Sequence, residues 1–102
     1  MLFRSYSQND YYCEQVPLAD LAHSVGTPAY VYSSQAIRRN YAAYTSAFGA
    51  LPHTVCYAVK ANSSLAVLAL LAKEGAGFDI VSGGELYRVL AAGGDQIGRA
   101  HV

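Results

Sequence analysis

Hydrophobic positions along the chain change their spacing several times, and each change predicts a new element. A short strand is expected around Tyr11 and Tyr12. After Pro17 the apolar residues recur at helical spacing as far as Gly26, which predicts a short helix closed by a glycine. Residues 29–32 are rich in β-branched and aromatic side chains and follow a proline, so they are predicted to form a strand.

A longer helix is predicted next, because four large apolar side chains recur at steps of four, three and four and therefore share one face. These residues are Ile37, Tyr41, Tyr44 and Phe48. The hydroxyl group of Ser33 or Ser34 can cap the start of this helix, and Gly49 ends it.

The second half of the chain alternates between strand and helix patterns. Residues 55–59 form an almost continuous apolar run, which is typical of a strand covered on both faces. A helix from Ser64 to Gly75 follows, with apolar positions at helical spacing. These positions are Leu65, Leu68, and Leu71 or Ala72. Residues 78–81 then predict a second strand.

A further helix is predicted after residue 82, then a loop over 95–99, and a third strand beginning near residue 100. Strands thus recur about every 23 residues, which predicts an α/β fold with a parallel sheet and right-handed crossovers. The pattern does not separate an open doubly wound sheet from a (β/α)8 barrel. Since so few strands leave their edges unpaired, we expect the chain to be part of a longer enzyme.

Composition narrows the function classes. The chain has 102 residues, a length typical of one domain. Its seven Lys plus Arg balance seven Asp plus Glu, so no overall basic field favours binding to nucleic acid or to an anionic membrane. The longest apolar run, residues 65–72, is shorter than the ~18 residues of a membrane span. Cys13 and Cys56 are too few for a disulfide framework or a metal site, which favours a reduced, cytoplasmic protein without metal.

Lys60 is the leading candidate for chemistry. It follows an apolar strand, and ligands of parallel α/β sheets bind beyond the carboxyl ends of the strands. Because side chains alternate along a strand, Ala58 and Lys60 are predicted to point to the same face, where the small side chain of Ala58 leaves space beneath the amine. A partly desolvated lysine is more often the neutral nucleophile that an aldehyde or ketone requires. The alternative is a solvated surface charge.

Asp79 interrupts the second apolar strand, where an unpaired carboxylate would cost several kcal/mol. Lys60 on the neighbouring strand is the nearest expected partner, and a structural ion pair is as good an interpretation as a site role. Ser82 and Glu85 fit a capping box, in which the Glu85 carboxylate returns to the Ser82 N–H. An anion-binding turn at this helix start is the less favoured alternative.

The sequence YAVKANSSLAVLALLAKEGAGFDIVSGGELYRVLAAGGD, residues 57–95, resembles the start of the barrel domain in the pyridoxal-phosphate-dependent decarboxylases of diaminopimelate, ornithine and arginine. The upstream stretch, residues 11–33, resembles the lead of the diaminopimelate enzymes in particular. The resemblance implies a lead segment over 1–33. It also implies the start of an alanine racemase-like (β/α)8 barrel, of fold type III, over 34–102.

The resemblance further implies that Lys60 carries pyridoxal 5'-phosphate covalently and that Ala58 and Asp79 lie beside the cofactor, with Ser82 and Glu85 in supporting roles. The reaction would remove carbon dioxide from meso-2,6-diaminopimelate and give L-lysine. A homodimer with its active site at the interface is expected, and neither nucleic acid nor a membrane is an expected partner. The alternatives left open are an ornithine or arginine decarboxylase, an alanine racemase relative, and a noncatalytic α/β fragment.

Several parts of the family's active site have no counterpart in these 102 residues. They are the glycine-rich phosphate grip, the acidic partner of the pyridine nitrogen, the histidine stacked on the ring, and the cysteine-bearing segment of a dimer partner. We therefore expect the chain by itself to be inactive.

Overall fold

The structure is a computed structural model that describes residues 4–7, 10–95 and 97–100. Contacts divide the chain into two compact units, Met1–Ile37 and Arg38–Val102. Among the described residues, no helix has the length and apolar character needed to cross a membrane.

The first unit contains a small antiparallel sheet and one helix. Strands β1 (Arg4–Ser7), β2 (Asp10–Cys13) and β3 (Val16–Pro17) pair in chain order, which confirms the predicted strand around residues 11 and 12. The turn between β2 and β3 places Glu14 in the left-handed region, with φ at 57°. Helix α1 (Leu18–Val25) follows and ends at Gly26 as predicted.

The predicted strand over residues 29–32 is wrong. In the structure residues 29–32 are not assigned to a strand, and Tyr30 is 91% exposed. Because β propensity reflects packing on a paired, half-buried surface, an exposed aromatic-rich segment need not form a strand.

Helix α2 (Ser34–Phe48) begins with the predicted serine cap, since the Ser33 Oγ accepts a hydrogen bond from the Ala36 N–H at 3.1 Å. Glu14 adds a contact that the sequence did not predict. Its Oε2 accepts from the Ser33 hydroxyl at 2.7 Å and from the Gln35 N–H at 3.0 Å. A carboxylate at this end of the helix also interacts favourably with the helix dipole.

The second unit is built around a parallel sheet. Strands β4 (Cys56–Ala58), β5 (Gly77–Ile80) and β6 (Ile97–Ala100) lie side by side in chain order. Helix α3 (Leu65–Glu74) joins β4 to β5, and α4 (Gly83–Ala91) joins β5 to β6. The predicted α/β alternation and the parallel sheet are confirmed.

Two boundaries differ from the prediction. The first strand stops at Ala58 because residues Val59–Ala61 form a single turn of 3₁₀ helix. The third strand begins at Ile97, within the segment predicted as a loop. The strands at these positions are too short to show a clear alternation of apolar and polar residues in the sequence. Their limits are set by backbone pairing with β5.

The core of this unit lies between the sheet and the two helices. Its largest fully buried side chains are Val59, Leu68, Phe78, Ile80 and Val89. On α3 the buried residues are Val67, Leu68 and Leu71, whereas Leu65, predicted to share the buried face, is exposed. The αL conformation of Gly75 closes α3 as predicted.

Candidate functional site at the carboxyl end of the parallel sheet

Lys60 lies in the 3₁₀ turn directly after β4, and its side chain is exposed among the described residues. The prediction that Lys60 and Ala58 share one face of a strand is wrong, because the backbone leaves the extended conformation at Val59. Val59 is fully buried and anchors the turn in the core. The amine is therefore at the predicted end of the sheet, on a turn and not on the strand.

Three hydrogen bonds hold this turn. The Tyr57 hydroxyl donates to the backbone oxygen of Asn62 at 2.9 Å, and the Asn62 N–H donates to the Val59 oxygen at 3.2 Å. The Asn62 side-chain Oδ1 then accepts from the Ser64 N–H at 3.0 Å, at the start of α3. Sequence reasoning assigned no role to either residue, although they flank Lys60 in the string Y-A-V-K-A-N.

Asp79 occupies the middle of β5 and pairs in register with Ala58 of β4. Its Oδ1 is buried and has no hydrogen-bond partner among the described residues. The ion pair expected between Lys60 and Asp79 is not formed in the described structure. A buried carboxylate oxygen without a donor is costly, so this atom is suited to accept a hydrogen bond from a ligand.

The turn from β5 to α4 is held by a variant of the predicted capping box. The Ser82 Oγ accepts from the Glu85 N–H at 3.1 Å, as predicted. The Glu85 Oε1 accepts from the Val81 N–H at 3.0 Å, one residue earlier than the predicted Ser82 N–H. The carboxylate therefore ties the helix to Val81, the residue directly after β5, and the serine alone caps the helix.

Metal-ligand chemistry has no candidate in the part of the chain that the structure describes, where no three His, Cys, Asp or Glu side chains come together. Cys13 and Cys56 are both free thiols. The chemistry-bearing groups at this end of the sheet are thus one primary amine, Lys60, and one unpartnered carboxylate oxygen, on Asp79.

Parallel α/β proteins bind their ligands beyond the carboxyl ends of the strands, and Lys60 lies at this edge. The chain matches the family described as "Pyridoxal-dependent decarboxylase, pyridoxal binding domain" over residues 34–98, a segment that contains both Lys60 and Asp79. The chain belongs to this family.

Its relatives include diaminopimelate decarboxylase of Vibrio cholerae, which is 57% identical over 93 residues, 91% of this chain and 22% of the relative. A crystal structure from Aquifex aeolicus superposes with a TM-score of 0.88 at 44% identity, covering 98% of this chain and 25% of that one. Diaminopimelate decarboxylase of M. jannaschii in complex with L-lysine superposes with a TM-score of 0.83 at 38% identity, covering 88% and 22%. The chain thus spans about a fifth to a quarter of the length of these proteins.

Proposed function

We propose that the chain is the amino-terminal part of a pyridoxal-phosphate-dependent decarboxylase that converts meso-2,6-diaminopimelate to L-lysine and carbon dioxide. The observation that carries the proposal is the exposed amine of Lys60 at the end of β4, inside the family-matched segment. Relatives named diaminopimelate decarboxylase favour this substrate over ornithine or arginine. In every experiment, the term complete enzyme means the full-length protein that contains these 102 residues.

The residues present fit the cofactor. Lys60 offers an exposed primary amine, the group that links covalently to an aldehyde. The unpartnered Asp79 Oδ1 would accept a hydrogen bond from the bound group, and Ala58, its neighbour in register, adds no bulk beside it. When bound, pyridoxal phosphate supplies the electron sink that makes loss of carbon dioxide from an amino acid possible. Lys60 Nζ would hold the cofactor between turnovers and release it to the substrate amine.

A (β/α)8 barrel is the parent fold that the sheet geometry supports. Gly98 of β6 lies so close to Cys56 of β4 that a Cβ at position 98 would overlap the Cys56 Sγ, although β5 runs between the two strands. In such barrels, side chains from alternate strands meet in common interior layers. A flat open sheet would keep strands two positions apart near 9–10 Å, so this contact favours a sheet that curls toward closure.

The arrangement of domains and partners follows from the same proposal. Residues 1–33 would form a lead segment, and residues 34–102 the beginning of an alanine racemase-like barrel. The complete enzyme would be a cytoplasmic homodimer whose active site lies at the interface, with an amino acid as its small-molecule ligand. The lysine bound in the M. jannaschii structure supports an amino-acid ligand for this family fold.

Borohydride trapping tests the assignment of Lys60. In the complete enzyme incubated with pyridoxal phosphate, reduction followed by peptide mass spectrometry should label Lys60, and Lys60→Ala should lose both the cofactor absorbance and lysine formation. Lys73→Ala is the matched control, because Lys73 is an exposed lysine in the last turn of α3. Labelling of another residue, or activity retained in Lys60→Ala, would overturn the proposal.

Substrate preference is tested separately by supplying meso-2,6-diaminopimelate, ornithine and arginine at equal concentration. Lysine formation with the highest kcat/KM supports the proposal. Faster formation of putrescine from ornithine, or of agmatine from arginine, would show that the enzyme is an ornithine or arginine decarboxylase. Labelling of Lys60 without any decarboxylation would favour a noncatalytic cofactor-binding protein.

A further inference from the structure

The turn that carries Lys60 is tied to both of its neighbouring elements. Tyr57 lies on β4, where its backbone pairs in register with Phe78, a fully buried residue of β5. From this position its hydroxyl reaches five residues along the chain to the Asn62 oxygen at 2.9 Å. Asn62 in turn binds the Ser64 N–H through its side chain, so the far end of the turn is fixed to the start of α3.

A single 3₁₀ turn is a weak element by itself, because its hydrogen bonds have poorer geometry than those of an α-helix. Lys60 is its central residue, and the direction in which the Lys60 Cα–Cβ bond points depends on how the turn is held. Reacting groups must be placed within about 0.5 Å of their productive positions for full activity. External hydrogen bonds to the turn are therefore a means of placing the amine.

We propose that Tyr57 and Asn62 are positioning residues for Lys60: the Tyr57 hydroxyl and the Asn62 side chain together clasp the turn and aim the amine at its carbonyl partner. The inference rests on the proposed function, since it assigns a task to Lys60. It also gives a physical reason for the order of residues in Y-A-V-K-A-N. The Tyr57 hydroxyl bonds across the lysine to the backbone oxygen of Asn62, and the Asn62 side chain carries the connection on to the Ser64 N–H.

Tyr57→Phe removes the hydroxyl and keeps the ring. In the complete enzyme, loss of one hydrogen bond of this kind should lower kcat about five- to tenfold and slow the appearance of the lysine–cofactor absorbance by a similar factor, while KM stays within about twofold. Tyr44→Phe is the matched control, because Tyr44 is exposed on α2 and makes none of the hydrogen bonds of the turn.

Asn62 provides an independent pair of variants. Asn62→Asp keeps an oxygen acceptor for the Ser64 N–H and should retain the rate of cofactor linkage, whereas Asn62→Ala removes the acceptor and should slow it. Rates are measured per folded molecule, with the folded fraction from circular dichroism, so that a general loss of stability does not imitate the effect.

The inference is overturned if Tyr57→Phe links the cofactor at the wild-type rate, if Tyr44→Phe is slowed equally, or if the two Asn62 variants behave alike. These outcomes leave the proposed function standing as long as wild-type Lys60 is labelled. If Lys60 is not labelled even in the wild-type enzyme, the proposed function is wrong, and Tyr57 and Asn62 would then have no reacting amine to position.

Discussion

At the scale of a single residue, the substitution Asp79→Asn distinguishes a structural role of this carboxylate from a role in cofactor binding. Its buried Oδ1 has no partner among the described residues, so the carboxylate costs stability where it stands. We expect Asp79→Asn to leave the urea midpoint of the cofactor-free complete enzyme unchanged or higher. The same change keeps an oxygen acceptor but removes its negative charge, so it should weaken pyridoxal phosphate binding about tenfold. Absorbance titration and urea unfolding measure the two effects.

The opposite result would identify a different role. If Asp79→Asn lowers the urea midpoint and leaves cofactor affinity unchanged, the carboxylate is part of a structural interaction. Asp95→Asn serves as the control for removing one negative charge, because Asp95 is an exposed residue in the connection before β6.

Gly94 lies at a position where the core leaves no room for a side chain. A Cβ at this position would lie 2.6 Å from Val89 Cγ1 and 2.8 Å from Phe78 Cε2, and both of these side chains are fully buried. We expect Gly94→Ala to destabilise the complete enzyme by about 1–3 kcal/mol through overpacking, read as a lower urea midpoint. Gly83→Ala is the control, because its Cβ meets nothing within 4 Å at the start of α4. Equal midpoints for the two variants would contradict this packing.

Helix α4 carries a prediction at the scale of the element. Because the Glu85 Oε1 accepts from the Val81 N–H, Glu85→Ala should free that amide and raise its hydrogen exchange. We expect a loss of about 1 kcal/mol of stability. Glu85→Gln keeps an oxygen acceptor and should lie close to wild type. Exchange mass spectrometry on peptides across β5 and α4 measures the difference, and equal exchange in all three proteins would show that the contact contributes nothing.

The elements also show how far sequence patterns reach. Helices α1 to α4 were predicted well, because each combines an apolar period with a cap or a glycine stop. The segment over 29–32 was predicted as a strand from composition, which carries no information on whether a partner strand exists. The capping box at Ser82 was half right. The backbone conformation decides which N–H the Glu85 carboxylate reaches.

The site shows the same limit. Lys60 and Asp79 became candidates because a polar residue after or within an apolar strand stands out in a sequence. Tyr57 did not, because its ring fits a strand pattern and its hydroxyl acts through a backbone oxygen five residues away. Hydrogen bonds to the main chain leave little trace in residue type, so the hydrogen bonds of the turn that carries Lys60 became visible only in the folded structure.

At the scale of the whole molecule, the close approach of Gly98 to Cys56 provides a test of the curvature of the parallel sheet. Gly98→Ala should lower the melting temperature of the complete enzyme, since the added methyl group overlaps the Cys56 Sγ. Cys56→Ala should have the smaller effect and should partly restore the double variant, which is then less destabilised than the sum of the two single variants. Strictly additive effects would mean that the two strands do not approach each other in the complete enzyme, which would remove the support for a curled sheet.

The 102-residue chain expressed alone tests the dependence of this fold on the rest of the protein. The chain covers 22% of its Vibrio cholerae relative, and its α4 exposes Tyr87 at 76% and Leu90 at 57%. Apolar helix faces and unpaired strand edges favour association, so we expect oligomers by light scattering, a broad melt, and no lysine formation with pyridoxal phosphate. The complete enzyme is the control. A monomer with a sharp reversible melt would contradict the expected association, and measurable turnover would show that the residues missing from this chain are not required.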